Sequence, residues 1–115
     1  MLGGSRIDRV NELIRQELSV LMLRILELPL GTLATITRVN CSPDLEHAKV
    51  WVSILPTAQT AEVMKRLEGA LGELQYQLVR KLSMEPVPKI RWILDETESK
   101  AARIETIIDR LDDPK

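Results

Sequence analysis

The sequence is poor in the residues on which most catalytic and metal sites depend. It holds one histidine and one cysteine in 115 residues, so a second His or Cys at ligand spacing is missing. A single cysteine also excludes an internal disulfide. The phosphate-loop pattern Gly-x-x-x-x-Gly-Lys-Ser/Thr does not occur. We therefore predict a protein that is not an enzyme and that binds neither a metal nor a cofactor.

Aromatic residues and long apolar runs are scarce as well. With no Phe, one Tyr and two Trp, the chain lacks the aromatic set with which RRM-type domains stack on RNA bases. No stretch approaches the ~18 apolar residues of a membrane span, and the N-terminus does not have the pattern of a signal peptide. We expect a soluble, cytoplasmic protein with no membrane partner.

Charge of one sign is not in excess, since the net charge is −1. The last twenty residues carry four basic and six acidic side chains, so the rest is close to neutral. Any anion-binding surface must therefore be local. The length fits one domain. We expect a monomeric domain over residues 5–111, with loose termini at 1–4 and 112–115.

The spacing of apolar residues predicts an α+β fold. Steps of three and four indicate helices, and alternation over short runs indicates strands. The predicted elements are a helix that Ser5 caps and Pro29 ends, strands at Leu33–Cys41 and His47–Leu55, a broken helix over 61–82, a strand from Lys89, and a C-terminal helix at about 98–111. They form a three-stranded sheet with helices on one face.

The broken helix carries two glycines inside a leucine stripe. Gly69 and Gly72 should each cost a helix interior roughly 1 kcal/mol relative to Ala. We predict a kink or tight turn here, with a backbone that another molecule approaches closely. The stretch Gly69-Ala70-Leu71-Gly72 matches the G-x-x-G with which KH domains clamp a single-stranded backbone. The apolar phase continues through Leu71, which favours a kinked helix over a helix-turn-helix.

Basic residues cluster near this stretch. Arg80 and Lys81 follow the glycines, Lys89 and Arg91 enter the third strand, and Glu73 and Glu85 oppose them. Such a patch suits phosphates, with binding that weakens as salt rises. A solvated face explains the charges equally well. Two further cations join the patch if the first helix packs alongside: Arg6 and Arg9.

The two tryptophans fall on different faces of the predicted sheet. Trp92 shares its face with Ile90, which indicates core packing. Trp51 shares its face with Lys49, so it fits either a surface position or a platform for base stacking. His47 opens its strand, where we interpret it as structural or surface.

Several short motifs, in this order, resemble the ribosome-binding factor A family from Arg6 to about Ile108. The second strand matches with Ala48-Lys49-Val50 and Val52-Ser53, and the third with Val87-Pro88 through Trp92 to Asp95. The other matches are Arg9-Val10, Glu17-Leu18, Pro29-Leu30-Gly31, Thr35-Ile36-Thr37, Val39, Ser42, Asp44-Leu45 and Ala70-Leu71-Gly72.

The resemblance implies a type II KH-like fold, α-β-β-α-kink-α-β, in which an Ala-x-Gly kink replaces the KH signature. It further implies a bacterial protein without catalytic activity that binds the immature 30S subunit, contacts 16S rRNA and assists its maturation, and leaves with the help of a GTPase. Three features depart from the family: its Asp-Pro-Arg-Leu-Gly appears here as Leu28-Pro29-Leu30-Gly31, Gln75 stands where an arginine is common, and we expect no basic C-terminal extension of the kind that some members have.

Our hypothesis is an assembly factor that docks on the small subunit through the glycines and the neighbouring cations. The predicted contact residues are Arg6, Arg9, Gly69, Ala70, Leu71, Gly72, Arg80, Lys81, Lys89 and Arg91. The alternative is a KH-like protein-interaction module whose partner binds the exposed sheet and the C-terminal helix.

Overall fold

In the computed structural model, which describes residues 5–97, two helices cover one face of a three-stranded sheet. The elements are α1 (Arg6–Ile25), β1 (Leu33–Cys41), β2 (His47–Leu55), a short 3-10 turn (Thr57–Gln59), α2 (Thr60–Lys81) and β3 (Lys89–Leu94). The predicted α+β class and the order of these elements are confirmed. The predicted helix over 98–111 and the loose ends at 1–4 and 112–115 lie outside the described residues.

The start of α1 follows from a capping box. The Ser5 hydroxyl accepts a hydrogen bond from the Asp8 amide, and the Asp8 carboxylate accepts one from the Ser5 amide, both at 3.2 Å. These two bonds satisfy amides that a helix start leaves without intrahelical partners. Along the helix, the buried face repeats every three or four residues: Val10, Ile14, Leu18, Leu21 and Met22.

The sheet has the order β1-β2-β3, with β1 antiparallel to β2 and β2 parallel to β3. A parallel neighbour needs a crossover connection, and α2 supplies it. The pairing of β1 with β2 shifts between Ile36 and Arg38, which leaves Thr37 as an extra, bulged residue. Because of this bulge, Ile36 and Val39 both face the core although they are three residues apart.

One hydrophobic core lies between the sheet and the helices. Trp92 belongs to it, with 6% of its surface exposed, and its indole Nε1–H donates to the Leu67 carbonyl at 3.0 Å. The prediction of a core position for Trp92 is therefore confirmed. The bond also fixes β3 against the middle of α2, two residues before Gly69.

The predicted division of α2 into two segments at the glycines is wrong, because the helix runs from Thr60 to Lys81 without interruption. Leu67, Leu74 and Leu78 are fully buried on both sides of the glycines. Burying one leucine contributes about 1.5–3 kcal/mol, whereas each glycine costs about 1 kcal/mol. The leucine stripe therefore outweighs the glycines and keeps the helix continuous.

Gln75 joins α2 to the start of β3 through both ends of its side-chain amide. Its Nε2 donates to the Pro88 carbonyl at 3.0 Å, and its Oε1 accepts from the Ile90 amide at 2.9 Å. An arginine at this position has no acceptor for the Ile90 amide. The departure from the family at Gln75 thus has a structural consequence, since the side chain serves as a partner for the edge of β3.

We expect Gln75→Leu to lower the free energy of unfolding by about 2–4 kcal/mol, since it leaves two part-buried backbone groups without partners at about 1–3 kcal/mol each. Urea denaturation measures the change. The matched control is Gln77→Leu on the same helix, because among residues 5–97 the Gln77 side chain donates to the exposed Glu73 alone. Equal destabilisation by the two variants would contradict this role for Gln75.

Candidate nucleic-acid interface

The two glycines of α2 face away from the core. Both are exposed, and a Cβ atom built on either would meet, apart from its chain neighbours and the nearby backbone of its own helix, no atom of residues 5–97 within 4 Å. Between them, Ala70 and Leu71 are half-buried and pack against the core. The structure therefore separates the four residues of the G-x-x-G stretch into two that stabilise the fold and two that present bare backbone outwards.

The bare backbone continues into an aromatic residue and a cation on the same face of α2. Tyr76 lies four residues after Gly72 and is 57% exposed, and the Arg80 guanidinium carbon lies 5.8 Å from its ring centroid. Such a pair offers a flat ring for stacking beside a charge for a phosphate. The outer stripe of α2 comprises Gly69, Gly72, Tyr76 and Arg80.

Tyr76 is not among the contact residues predicted from the sequence. A usable signal was present, because Tyr76 lies seven residues after Gly69 and four before Arg80, the spacings that place residues on one helix face. The stronger pattern in this stretch is the leucine stripe, which marks the buried face of the helix and not the exposed one.

One end of the domain brings together the β1–β2 turn, the start of α1, the end of α2 and the start of β3. The Asn11 side chain accepts from the Cys41 amide at 2.8 Å, which places the start of α1 beside the end of β1. Gln75 places the last turns of α2 beside the start of β3. The Lys89 amide donates to the Glu46 carbonyl at 2.9 Å, which joins β3 to the turn. This region is the hairpin end.

The structure places five of the predicted cations at the hairpin end. Arg6 and Arg9 belong to the first turn of α1, Arg80 and Lys81 to the last turn of α2, and Lys89 to the first position of β3, and all five are exposed. Carboxylates lie between them, from Asp8, Asp44, Glu46 and Glu85. The hairpin end is therefore rich in charge of both signs.

Arg91 is separated from the cations of α2. Since Ile90 and Trp92 are buried beneath the helices, the alternating residues Lys89 and Arg91 project from the opposite face of the sheet. The sheet thus lies between Arg91 and the pair Arg80 and Lys81. The ten predicted contact residues form surfaces on two sides of the domain.

Several ionisable groups have pKa values that follow from local hydrogen bonds or from burial. The Asp95 carboxylate accepts a hydrogen bond from the Thr37 hydroxyl at 2.6 Å and another from the Thr97 amide at 2.9 Å. These bonds lower the pKa of the Asp95 carboxyl. Burial raises the pKa of the Cys41 thiol. The bonds of Asp95 tie the end of β3 to the bulge of β1. Cys41 is an inert core residue.

Within residues 5–97, no three His, Cys, Asp or Glu side chains approach one another closely enough to hold a metal ion. Neither α1 nor α2 has the combination of length and apolar character that a membrane span needs.

The fold and the exposed surfaces define a class: a small α+β domain of KH-like arrangement with exposed cations at its hairpin end. A family model described as ribosome-binding factor A matches residues 6–108. The chain belongs to the ribosome-binding factor A family. A relative of that name from Opitutus terrae is 37% identical over 110 residues, which cover 95% of this chain and 89% of the relative.

A crystal structure and a fitted homology model are among the coordinates that share the fold. The crystal structure of ribosome-binding factor A from Thermus thermophilus superposes with a TM-score of 0.67 at 19% identity, covering 78% of this chain and 97% of that one. A homology model of the Thermus thermophilus factor has been fitted into a cryo-electron microscopy map of its complex with 30S. It superposes with a TM-score of 0.59 at 22% identity, covering 75% of this chain and 91% of that one. These similarities confirm the arrangement of the helices and the sheet.

Proposed function

We propose that the protein binds the immature 30S ribosomal subunit, contacts its 16S rRNA and assists late maturation of the subunit. The observation that carries the proposal is membership of the ribosome-binding factor A family over residues 6–108. The complex of the Thermus thermophilus factor with 30S supports the choice of partner. The role is one of binding, without catalysis, metal or cofactor, and it is exercised in the cytoplasm. A ribosome-associated GTPase is the proposed agent of release.

Two surfaces support binding to RNA on the helical side. The outer stripe of α2 offers exposed backbone at Gly69 and Gly72, where a ribose-phosphate chain can approach without meeting side chains. The hairpin end adds the cations of α1 and α2, whose charges attract phosphates. We propose that Ala70 and Leu71 act indirectly, since their packing against the core fixes the stripe.

A second candidate function is a protein-interaction module. Large apolar side chains are exposed at the end of the domain opposite the hairpin end, where a cavity of about 380 Å³ separates α1 from β1. Leu23, Leu30 and Leu33 are 84%, 105% and 57% exposed. Exposed apolar groups gathered in one place are typical of protein interfaces.

Co-sedimentation with purified 30S subunits at rising salt tests the proposal and separates the two functions. We expect the protein to pellet with 30S at low salt and to dissociate steeply as salt rises, because phosphate contacts release counterions. Purified 50S subunits serve as the control. Absence of association at low salt would overturn the proposal, and association that salt does not affect would favour the protein-interaction module.

A further inference from the structure

The strands, which form the face of the sheet opposite the helices, carry basic residues and no acidic ones; Asp95 and Glu96 follow directly after β3. The helices α1 and α2 each hold four basic and three acidic residues. The three strands together hold four basic residues and no acidic one. The net charge of the chain is close to zero and so does not reveal that the strands are basic. The sheet face comprises Arg38, Lys49, Trp51, Lys89 and Arg91.

Strand register places these side chains together. Lys49 pairs with Arg91 across the parallel ladder, and His47 pairs with Lys89 in the row beside them. Because Ala48 and Val50 are buried against the helices, the residues that alternate with them project to the opposite side. Neighbouring strands lie about 4.7–4.9 Å apart, so Lys49 and Arg91, which share a row and a face, present their charges as a close pair.

No carboxylate relieves this repulsion within residues 5–97. The salt bridges there involve Arg15 with Glu12 and Arg66 with Glu62, and both lie on helices. Like charges directly opposite each other destabilise a sheet. The pair Lys49 and Arg91 thus opposes folding, whereas an anionic partner would turn the same two charges into an attractive site.

Trp51 and Arg38 form a stack in the next row of the same face. The two residues are partners in the β1–β2 ladder, and the Arg38 guanidinium carbon lies 4.7 Å from the centroid of the Trp51 ring. The guanidinium is planar, so one that lies over an indole presents a surface on which a base can stack, with donors at its rim. Beside the stack opens a cavity of about 420 Å³, which Asp95 and Glu96 line together with Arg38 and Trp51, so it suits the amino and imino donors of a base rather than a phosphate. The size of the cavity is sufficient for an unstacked base.

We propose that the sheet face is a second RNA-binding surface, on which Lys49, Lys89 and Arg91 contact phosphates of single-stranded ribosomal RNA and a base stacks on the pair of Arg38 and Trp51. The proposal rests on the proposed function for the identity of the RNA. Charge complementarity favours RNA over a protein partner. The exposed apolar residues Leu33 and Leu55 pair with each other at the end of the sheet far from Lys89, so they lie away from the basic residues of the proposed surface.

Binding of a fluorescent oligouridylate of about ten nucleotides to the full chain, followed by anisotropy at several salt concentrations, tests the phosphate contacts. Lys49→Gln with Arg91→Gln should weaken binding about tenfold or more at low salt. The slope of log K against log salt should fall by about 1.4, since each lost phosphate contact removes about 0.7 in single strands. The matched control is Arg24→Gln with Lys65→Gln, which removes equal charge from exposed helix positions.

Two outcomes would contradict the phosphate contacts. In one, the sheet variant and the helix control weaken oligouridylate binding equally; in the other, the sheet variant does not weaken it. Circular dichroism and urea denaturation establish that both variants are folded. The sheet variant should be at least as stable as the wild type, because it removes the repulsion between Lys49 and Arg91.

Trp51→Leu tests the base stack. We expect binding of oligouridylate to weaken about fivefold or more with an unchanged salt slope, because the variant removes a stacking surface and no charge. Trp51→Phe should retain part of the affinity. Polyglutamate of matched charge is the comparison ligand. If it binds as tightly as the oligouridylate and Trp51→Leu affects neither, the surface recognises anions generally and the assignment to RNA is wrong.

These assays distinguish failure of this inference from failure of the proposed function. The oligouridylate assay requires no ribosome, whereas co-sedimentation of the wild type with 30S tests the function alone. One result overturns RNA binding by the sheet face and leaves the proposed function standing: the wild type pellets with 30S, and the sheet variant binds both RNA and 30S as tightly as the wild type.

Discussion

Replacing Gly69 and Gly72 together by alanine raises the free energy of unfolding by about 1–2 kcal/mol, because alanine is favoured over glycine by up to about 1 kcal/mol at each helix-interior position. The structure gives the new methyl groups room, since neither would meet, apart from its chain neighbours and the nearby backbone of its own helix, an atom of residues 5–97 within 4 Å. For a domain of this size the expected increase in melting temperature is roughly 4–8 °C per kcal/mol.

The same double variant should bind 30S more weakly, by about tenfold. Two methyl groups on the outer stripe of α2 hold an approaching RNA backbone away from the helix and prevent the contacts that bare glycine allows. Thermal denaturation and co-sedimentation give the two readouts. Glu73→Ala is the matched control, since Glu73 is an exposed neighbour on the same helix with similar helix propensity.

A gain in stability together with a loss of association cannot come from misfolding. Unchanged association would mean that the glycines do not contact the subunit. A loss of stability would contradict the exposed, helical position that the structure gives to both residues.

The bounds of the strands could be predicted well from the sequence, because alternation and flanking turn residues act locally. The predicted strands Leu33–Cys41 and His47–Leu55 are confirmed residue for residue. The continuous α2 was missed for a physical reason: helix propensity counts the local cost of Gly69 and Gly72, whereas the tertiary burial of Leu67 and Leu74 decides the outcome.

The surfaces could be predicted less well, because they depend on register and packing. Arg38 and Trp51 are 13 positions apart in sequence, and only the bulge at Thr37 and the strand pairing bring them into contact. Likewise, the sequence places Arg91 ten residues after Lys81, and the sheet then separates them. The hydrogen bonds of Gln75 to Pro88 and Ile90 could not be predicted from the sequence either, because they depend on how α2 packs beside β3.

Reversal of charge at the end of α2 should weaken the association with 30S more than any other surface change on the helical side. Arg80→Glu with Lys81→Glu turns two exposed cations at the hairpin end into anions, so attraction to phosphates becomes repulsion. We expect association to fall by more than about tenfold at ~0.1 M salt, where charges within about 10 Å of each other are only partly screened. Co-sedimentation measures the loss.

The variant carries a small folding cost that the controls must match. Basic residues in the last turn of a helix interact favourably with its dipole, by about 0.3–1 kcal/mol each. Arg24 occupies the last turn of α1 and is exposed as well, so Arg24→Glu with Lys65→Glu reproduces the change in charge and about half of the dipole effect. This control lies outside the hairpin end and should pellet with 30S nearly as the wild type does.

A neutral pair separates contact from repulsion. Arg80→Gln with Lys81→Gln removes the two attractions without adding anions, so its association should lie between that of the wild type and that of the Glu pair. Since Arg80 also stacks on Tyr76, Arg80→Gln alone should weaken binding more than Lys81→Gln alone. Equal association of wild type, Gln pair and Glu pair would show that the end of α2 faces away from the subunit, and the contact would then have to be sought on the sheet face.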